Sequence, residues 1–139
     1  MHEAIRTARP EAIGVPVRNI DDQSRESPRF LLAQVKDVVD ECRACSVSPI
    51  VLGGAGFSIF PHQALAFLGG DFGIVGDGEV ASPVLLDRLR YGAEPSGLPE
   101  AIVPGGDVTP ADFTNGLDEL PLWDESLTAA APPRCCVVL

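Results

Sequence analysis

Three short apolar runs each lead directly into a chain reversal: Ala12-Ile13-Gly14-Val15-Pro16-Val17, Ile50-Val51-Leu52 and Phe72-Gly73-Ile74-Val75. The reversals are Val17-Arg18-Asn19, Gly53-Gly54-Ala55-Gly56 and Gly76-Asp77-Gly78-Glu79. Between the runs lie stretches with helical spacing. Runs that are apolar throughout, instead of at alternate positions, fit strands buried on both faces. Strands of that kind separated by helices build an α/β fold, a parallel sheet covered on both sides. Ligands of such open sheets bind outside the carboxyl ends of the strands. The three reversals fall at those ends, which makes them candidates for one site.

The helices are marked by their ends. Glu3 to Ala8 reads as closing turns that Pro10 forbids to continue. Ser27-Pro28 supplies an N-cap and a first-turn proline, and Leu31, Val35, Val38, Cys42 and Cys45 follow as a core-facing stripe. A further helix opens at Pro61 and closes at Gly69-Gly70, with Leu65 and Leu68 inward. Another opens at Ser82-Pro83 and carries Leu85, Leu86 and Leu89 to Gly92.

Charge divides the 139 residues. Residues 1–93 hold twelve acids and nine bases, whereas 94–139 hold eight acids and one base. We expect the first part to pack as a domain and the second, broken by prolines, to be an acidic linker or tail. The net charge of −10 opposes nucleic acid and anionic lipid alike. No run approaches the roughly 20 apolar residues of a membrane span, and no basic-then-apolar leader opens the chain. A cytoplasmic protein with reduced cysteines is expected.

Several residue groups invite chemical readings. Glycines directly after a buried strand remove the Cβ atoms between backbone and ligand, and equally let the next helix pack close; both readings stand for Gly53 and Gly54. Gly76 to Ala81 formally fits a dinucleotide-binding loop, yet Asp77 and Glu79 would oppose a phosphate. Cys42-Arg43-Ala44-Cys45 has the spacing of a metal knuckle but lacks a second pair at that spacing, and both thiols fall on the core stripe. No metal ligand set is therefore assigned. His2 and His62 have no acid or nucleophile arranged around them, and no catalytic residue is assigned. Arg18 and Asn19 could hold a ligand's amide or phosphate, or Arg18 could pair with Asp21 or Asp22. Cys136-Val137-Val138-Leu139 has the form of a prenylation box, but only Arg134 is basic upstream, and a chance ending is the better account.

Together the segments 12–22, 50–61 and 71–79 resemble the cobalamin-binding domain that precedes the catalytic barrel of B12-dependent radical SAM proteins. Leu117-Asp118-Glu119-Leu120-Pro121 and Trp123-Asp124 are similar to that family's linker into the barrel. The resemblance implies a Rossmann-like, flavodoxin-like three-layer sheet, incomplete on its N-terminal side, within 1–93. It implies that the strand-end loops hold the lower face and nucleotide tail of cobalamin. Carried over by position, Gly53 and Gly54 become the leading contacts, with Ala55, Gly56, Gly76, Gly78 and Glu79 beside them and Val17, Arg18 and Asn19 from the first loop.

The departures are equally specific. The Asp-x-His-x-x-Gly loop, whose histidine can ligate cobalt in relatives, has no counterpart here, and a tail-contacting serine of some relatives is replaced by Pro16. The Cys-x-x-x-Cys-x-x-Cys motif of the barrel is absent as well. The implied module therefore binds cobalamin without catalysing, while the iron–sulfur cluster and S-adenosylmethionine belong to a barrel supplied elsewhere. Against the family the chain looks like a truncated fragment, with a sheet flank exposed to self-association. The competing expectations are a non-binding remnant acting as an interaction domain, and a dinucleotide-binding domain.

Overall fold

The computed structural model describes residues 2–107 and the backbone of 135–137. Its elements in chain order are α1 (His2–Ala8), β1 (Ala12–Pro16), α2 (Leu32–Cys45), β2 (Ile50–Gly53), α3 (Ala55–Ile59), α4 (Pro61–Leu68), β3 (Phe72–Ile74), α5 (Ala81–Tyr91), β4 (Ala101–Ile102) and β5 (Cys135–Val137). All five strands join one sheet in the order β4-β3-β2-β1-β5. The three apolar runs are its contiguous centre, with β1 parallel to β2 and β2 parallel to β3. β4 adds an antiparallel edge beside β3, and β5 runs parallel to β1 on the other flank.

The sheet is covered on both faces, as the uninterrupted apolar character of its strands requires. Successive strand residues point to opposite faces. Ile13, Val15 and Val17 share one face with Ile50 and Leu52, packed against Ile5 of α1, Val39 and Cys42 of α2, Phe57 of α3, and Leu65 and Leu68 of α4. On the other face Ile74 packs with Ala81 and Leu85 of α5 and with Leu98 and Ala101. Full burial of a side chain such as Phe57 or Leu85 contributes about 1.5–3 kcal/mol. The α/β, Rossmann-like architecture expected from the sequence is the observed one.

Helix ends follow the expected signals with one clear displacement. α4 begins at Pro61 and stops where Gly69 turns left-handed, and α5 stops in the same way at Gly92. α2, however, starts at Leu32 and not at Ser27-Pro28. The cause is a competing set of hydrogen bonds. The Asp22 carboxylate accepts the backbone N–H of Ser24 at 3.1 Å and of Arg29 at 2.9 Å, and the Arg29 Nε–H at 2.9 Å. An isolated antiparallel bridge between Asp21 and Phe30 closes the same loop. Those groups are thereby withheld from a helix. The same bonds hold the Asp22 carboxyl below its ordinary value of 3.8, chiefly through the Arg29 backbone N–H and then its side chain. Arg18 is thus not the partner of Asp22.

Two stretches of the acidic region expected as linker supply strands β4 and β5. β5 pairs Ala12 with Cys135, Ile13 with Cys136 and Gly14 with Val137, so β1 is paired on this edge as well as by β2. The linker-like residues Leu117 to Asp124 lie outside the described residues. Among those described, no helix is long and apolar enough to cross a membrane.

Candidate functional site

The parallel order of β1, β2 and β3 brings their three following loops to one edge of the sheet. Three backbone hydrogen bonds lock the first loop to the second. Val17 N–H donates to the Gly53 carbonyl at 2.7 Å, and the Val17 carbonyl accepts Gly56 N–H at 2.9 Å and Phe57 N–H at 3.3 Å. Val17 itself is fully buried, so it holds the loops together and does not face the edge. Ser58 ties the second loop to the third. Its hydroxyl donates to the Gly54 carbonyl and accepts Gly76 N–H, each at 3.0 Å. Sequence reasoning passed over Ser58, because nothing in local spacing says that its hydroxyl will reach 18 residues downstream.

A crevice of about 210 Å³ opens where these loops meet. Gly53, Gly54, Gly76 and Gly78 line it, joined by Pro16, Ile74, Asp77 and the Ser82 side of α5. Sites that enclose a drug-sized ligand are about 300–1,000 Å³. This space accepts one compact appendage of a larger molecule lying across the loops, and does not swallow a whole cofactor. The Ser82-Pro83 pair predicts a cap for α5 at Ser82, but the helix has Val80 at its N-cap, with no side-chain capping bond. The serine instead stands within the first turn, on the crevice wall.

The two glycines that follow β2 owe their presence to different constraints. Gly54 has φ 99° and ψ 173°, a region essentially reserved for glycine, and a Cβ there would stand 2.9 Å from the Val17 carbonyl oxygen. Its reason is internal: it lets the β1 and β2 loops close on each other. Gly53 is different. Its φ is not left-handed, and a Cβ would meet Ile74 at 3.6 and 3.7 Å, which is ordinary contact. The folded chain could carry alanine there. Nothing in its own packing calls for the missing side chain, which would project into the crevice region.

The remaining sequence candidates divide. Arg18 and Asn19 line a neighbouring, more apolar cavity of about 280 Å³ between β1 and α2, with Pro16 forming part of both walls. Gly56 is buried, and a Cβ on it would stand 3.0 Å from the Arg18 and Asn19 backbone. Ala55 and Glu79 are exposed and line neither cavity. Cys42 is fully buried in the core and the Cys45 thiol donates to the Cys42 carbonyl at 3.4 Å, as the packing reading expects. His2 lies 3.4 Å from Glu41 on the surface, while His62 lines a separate cavity of about 440 Å³. Among the described residues, no three His, Cys, Asp or Glu side chains gather as a metal site would require.

No protein-family model matches the chain. A curated relative, the tryptophan 2-C-methyltransferase of Streptomyces laurentii, is 31% identical over 105 residues, 76% of this chain and 17% of the enzyme. Two solved structures of the radical S-adenosylmethionine methyltransferase TsrM from Kitasatospora setae share the fold at TM-score 0.69 and 27–28% identity. One holds tryptophan and a SAM analogue, the other cobalamin and a [4Fe-4S] cluster. Each match covers 73% of this chain and 19% of TsrM. The α/β sheet with its three strand-end loops is therefore homologous to one segment of the radical S-adenosylmethionine methyltransferase TsrM, and spans less than a fifth of that enzyme's length.

Proposed function

We propose that this chain is a cobalamin-binding module of a radical SAM methyltransferase system. In this reading the corrinoid lies across the loops after β1, β2 and β3, and its nucleotide tail enters the crevice between Gly53, Gly76, Gly78 and Ser82. Gly53 carries the argument: it lacks a side chain beside a crevice where the protein's own packing would tolerate one. Homology to an enzyme solved with cobalamin bound supports the same assignment. Gly54 and Ser58 keep the loops in register, Val17 anchors the first to the second, and Ser82 offers a hydroxyl to the tail. Arg18 and Asn19 stand at the neighbouring cavity as polar contacts for the periphery. Ala55, Gly56 and Glu79 have supporting places beside the loops.

Cobalamin supplies a cobalt centre that can carry a methyl group. The residues of this chain contribute binding and orientation. A flat ligand resting on backbone, without intervening side chains, is positioned by the sheet that carries the loops, because regular elements hold a site more precisely than free loops do. No side chain here is assigned a proton transfer or covalent role. The cluster, S-adenosylmethionine and the methyl acceptor are assigned to a barrel outside this sequence.

The test is direct. Purified protein is mixed with hydroxocobalamin and passed through gel filtration while the visible spectrum is followed. Co-elution of corrinoid absorbance with the protein peak is the expected result; a peak free of that absorbance at protein concentrations in the tens of micromolar, roughly, would overturn the reading.

A further inference from the structure

At the opposite edge of the sheet, where β1 and β2 begin, lies a larger cavity of about 640 Å³. The closing turns of α1 and α2 and the leads into the two strands bound it, and Arg6, Arg9 and Arg43 line it with Pro10, Ser46 and Ser48. Among the described residues on its walls there is no Asp or Glu. In a chain with twenty acids and ten bases, such a concentration of arginine is out of proportion. Arg43 is partly engaged, its Nη2–H donating to the Asp71 carboxylate at 2.7 Å and to the Gly69 carbonyl at 3.2 Å. The side chains of Arg6 and Arg9 have no hydrogen bond or ion pair among the described residues.

Helix ends account for part of this. Arg6 and Arg43 stand in the last turns of α1 and α2, where a cation suits the helix dipole. Arg9 is not explained that way. It follows α1 with φ 45°, its N–H donating to the Ile5 carbonyl at 2.9 Å, in the left-handed closing position that glycine fills with less strain. The walls are also fixed to each other: Ser48 Oγ–H donates to the Pro10 carbonyl and Ser46 Oγ–H to Ser48 Oγ at 2.9 Å, tying the turn before β1 to the loop before β2. The volume falls within the roughly 300–1,000 Å³ of small-molecule sites. Guanidinium forks match phosphate oxygens two at a time. We propose that this cavity binds a small polyanion carrying two or more phosphoryl groups. It lies at the far edge of the sheet from the cobalamin site and does not depend on that reading.

Inorganic diphosphate is the probe, added to the full chain at an ionic strength held constant with sodium chloride. Isothermal titration calorimetry should show one site with a Kd of roughly 1 mM or tighter, and saturating diphosphate should raise Tm by about 2 °C or more. Arg6→Gln and Arg9→Gly each remove one guanidinium and should weaken diphosphate binding by about fivefold or more. Arg43 is left in place because it also holds Asp71. Arg9→Gly relieves the left-handed position, so its Tm without ligand should be no lower than wild type, and its loss of affinity is then not a loss of folding. A wild-type chain that gives no binding heat with diphosphate overturns the proposal. Equal diphosphate affinity in wild type and both variants overturns it as well, because the anion would then sit away from Arg6 and Arg9. Neither result depends on whether hydroxocobalamin binds.

Discussion

The adjacent glycines after β2 allow the internal and ligand-facing reasons for a missing side chain to be separated by experiment. At Gly53 an added methyl meets only ordinary contacts, at 3.6 and 3.7 Å from Ile74, in a backbone conformation that alanine accepts. Gly53→Ala should therefore stabilise the free protein by roughly 0.4–1 kcal/mol, because the unfolded chain loses conformational freedom. At Gly54 the same methyl lies 2.9 Å from the Val17 oxygen at φ 99°, and Gly54→Ala should cost about 1–3 kcal/mol from backbone strain alone. With ligand the first ordering reverses. A methyl forced into an occupied seat costs about 1–3 kcal/mol, which at about 1.4 kcal/mol per decade weakens the Kd by roughly 5- to 150-fold. Urea denaturation gives the stabilities, and spectral titration with hydroxocobalamin gives the affinities. Gly53→Ala should be more stable than wild type and bind more weakly. If it loses stability as Gly54→Ala does, the protein's own packing explains both glycines. If it binds as tightly as wild type, the ligand does not lie where Gly53 points.

Ser58→Ala removes the hydroxyl linking Gly54 to Gly76; a stability loss of about 1 kcal/mol in urea melts is expected, together with weaker hydroxocobalamin binding, and unchanged affinity would show that loop registry is not limiting. The Asp22 carboxyl titrates below 3.8 in the folded chain, so its contribution is complete at pH above the ordinary value and is lost as pH falls through the lower folded one. Asp22→Asn should accordingly flatten the acid limb of the stability profile below about pH 4, and an unchanged limb would refute the loop's role. Deleting residues 135–139 uncovers the β1 edge that β5 now pairs; sedimentation velocity should show concentration-dependent association, whereas a monomer of undiminished stability would show that β5 contributes nothing.

By itself, the sequence determined the central strands and their loops. Ile50-Val51-Leu52 before Gly53-Gly54, and Phe72 to Val75 before Gly76, announce buried strands and their ends through apolar composition and glycine, which act over a few residues. Pro61, Gly69 and Gly92 mark helix ends by the same local means. Only tertiary structure decided the rest, because those choices depend on partners distant in sequence. Asp22 claimed the N–H of Arg29 and moved the start of α2 to Leu32. Two residues of β4 and three of β5, too short for any periodicity to reveal, became strands because edges of β3 and β1 were there to pair them. Gly53 and Gly54 are indistinguishable as letters. Their different roles follow from the Val17 carbonyl, which lies beside one and not the other, since the space around a Cβ is a property of the folded neighbourhood and not of the residue.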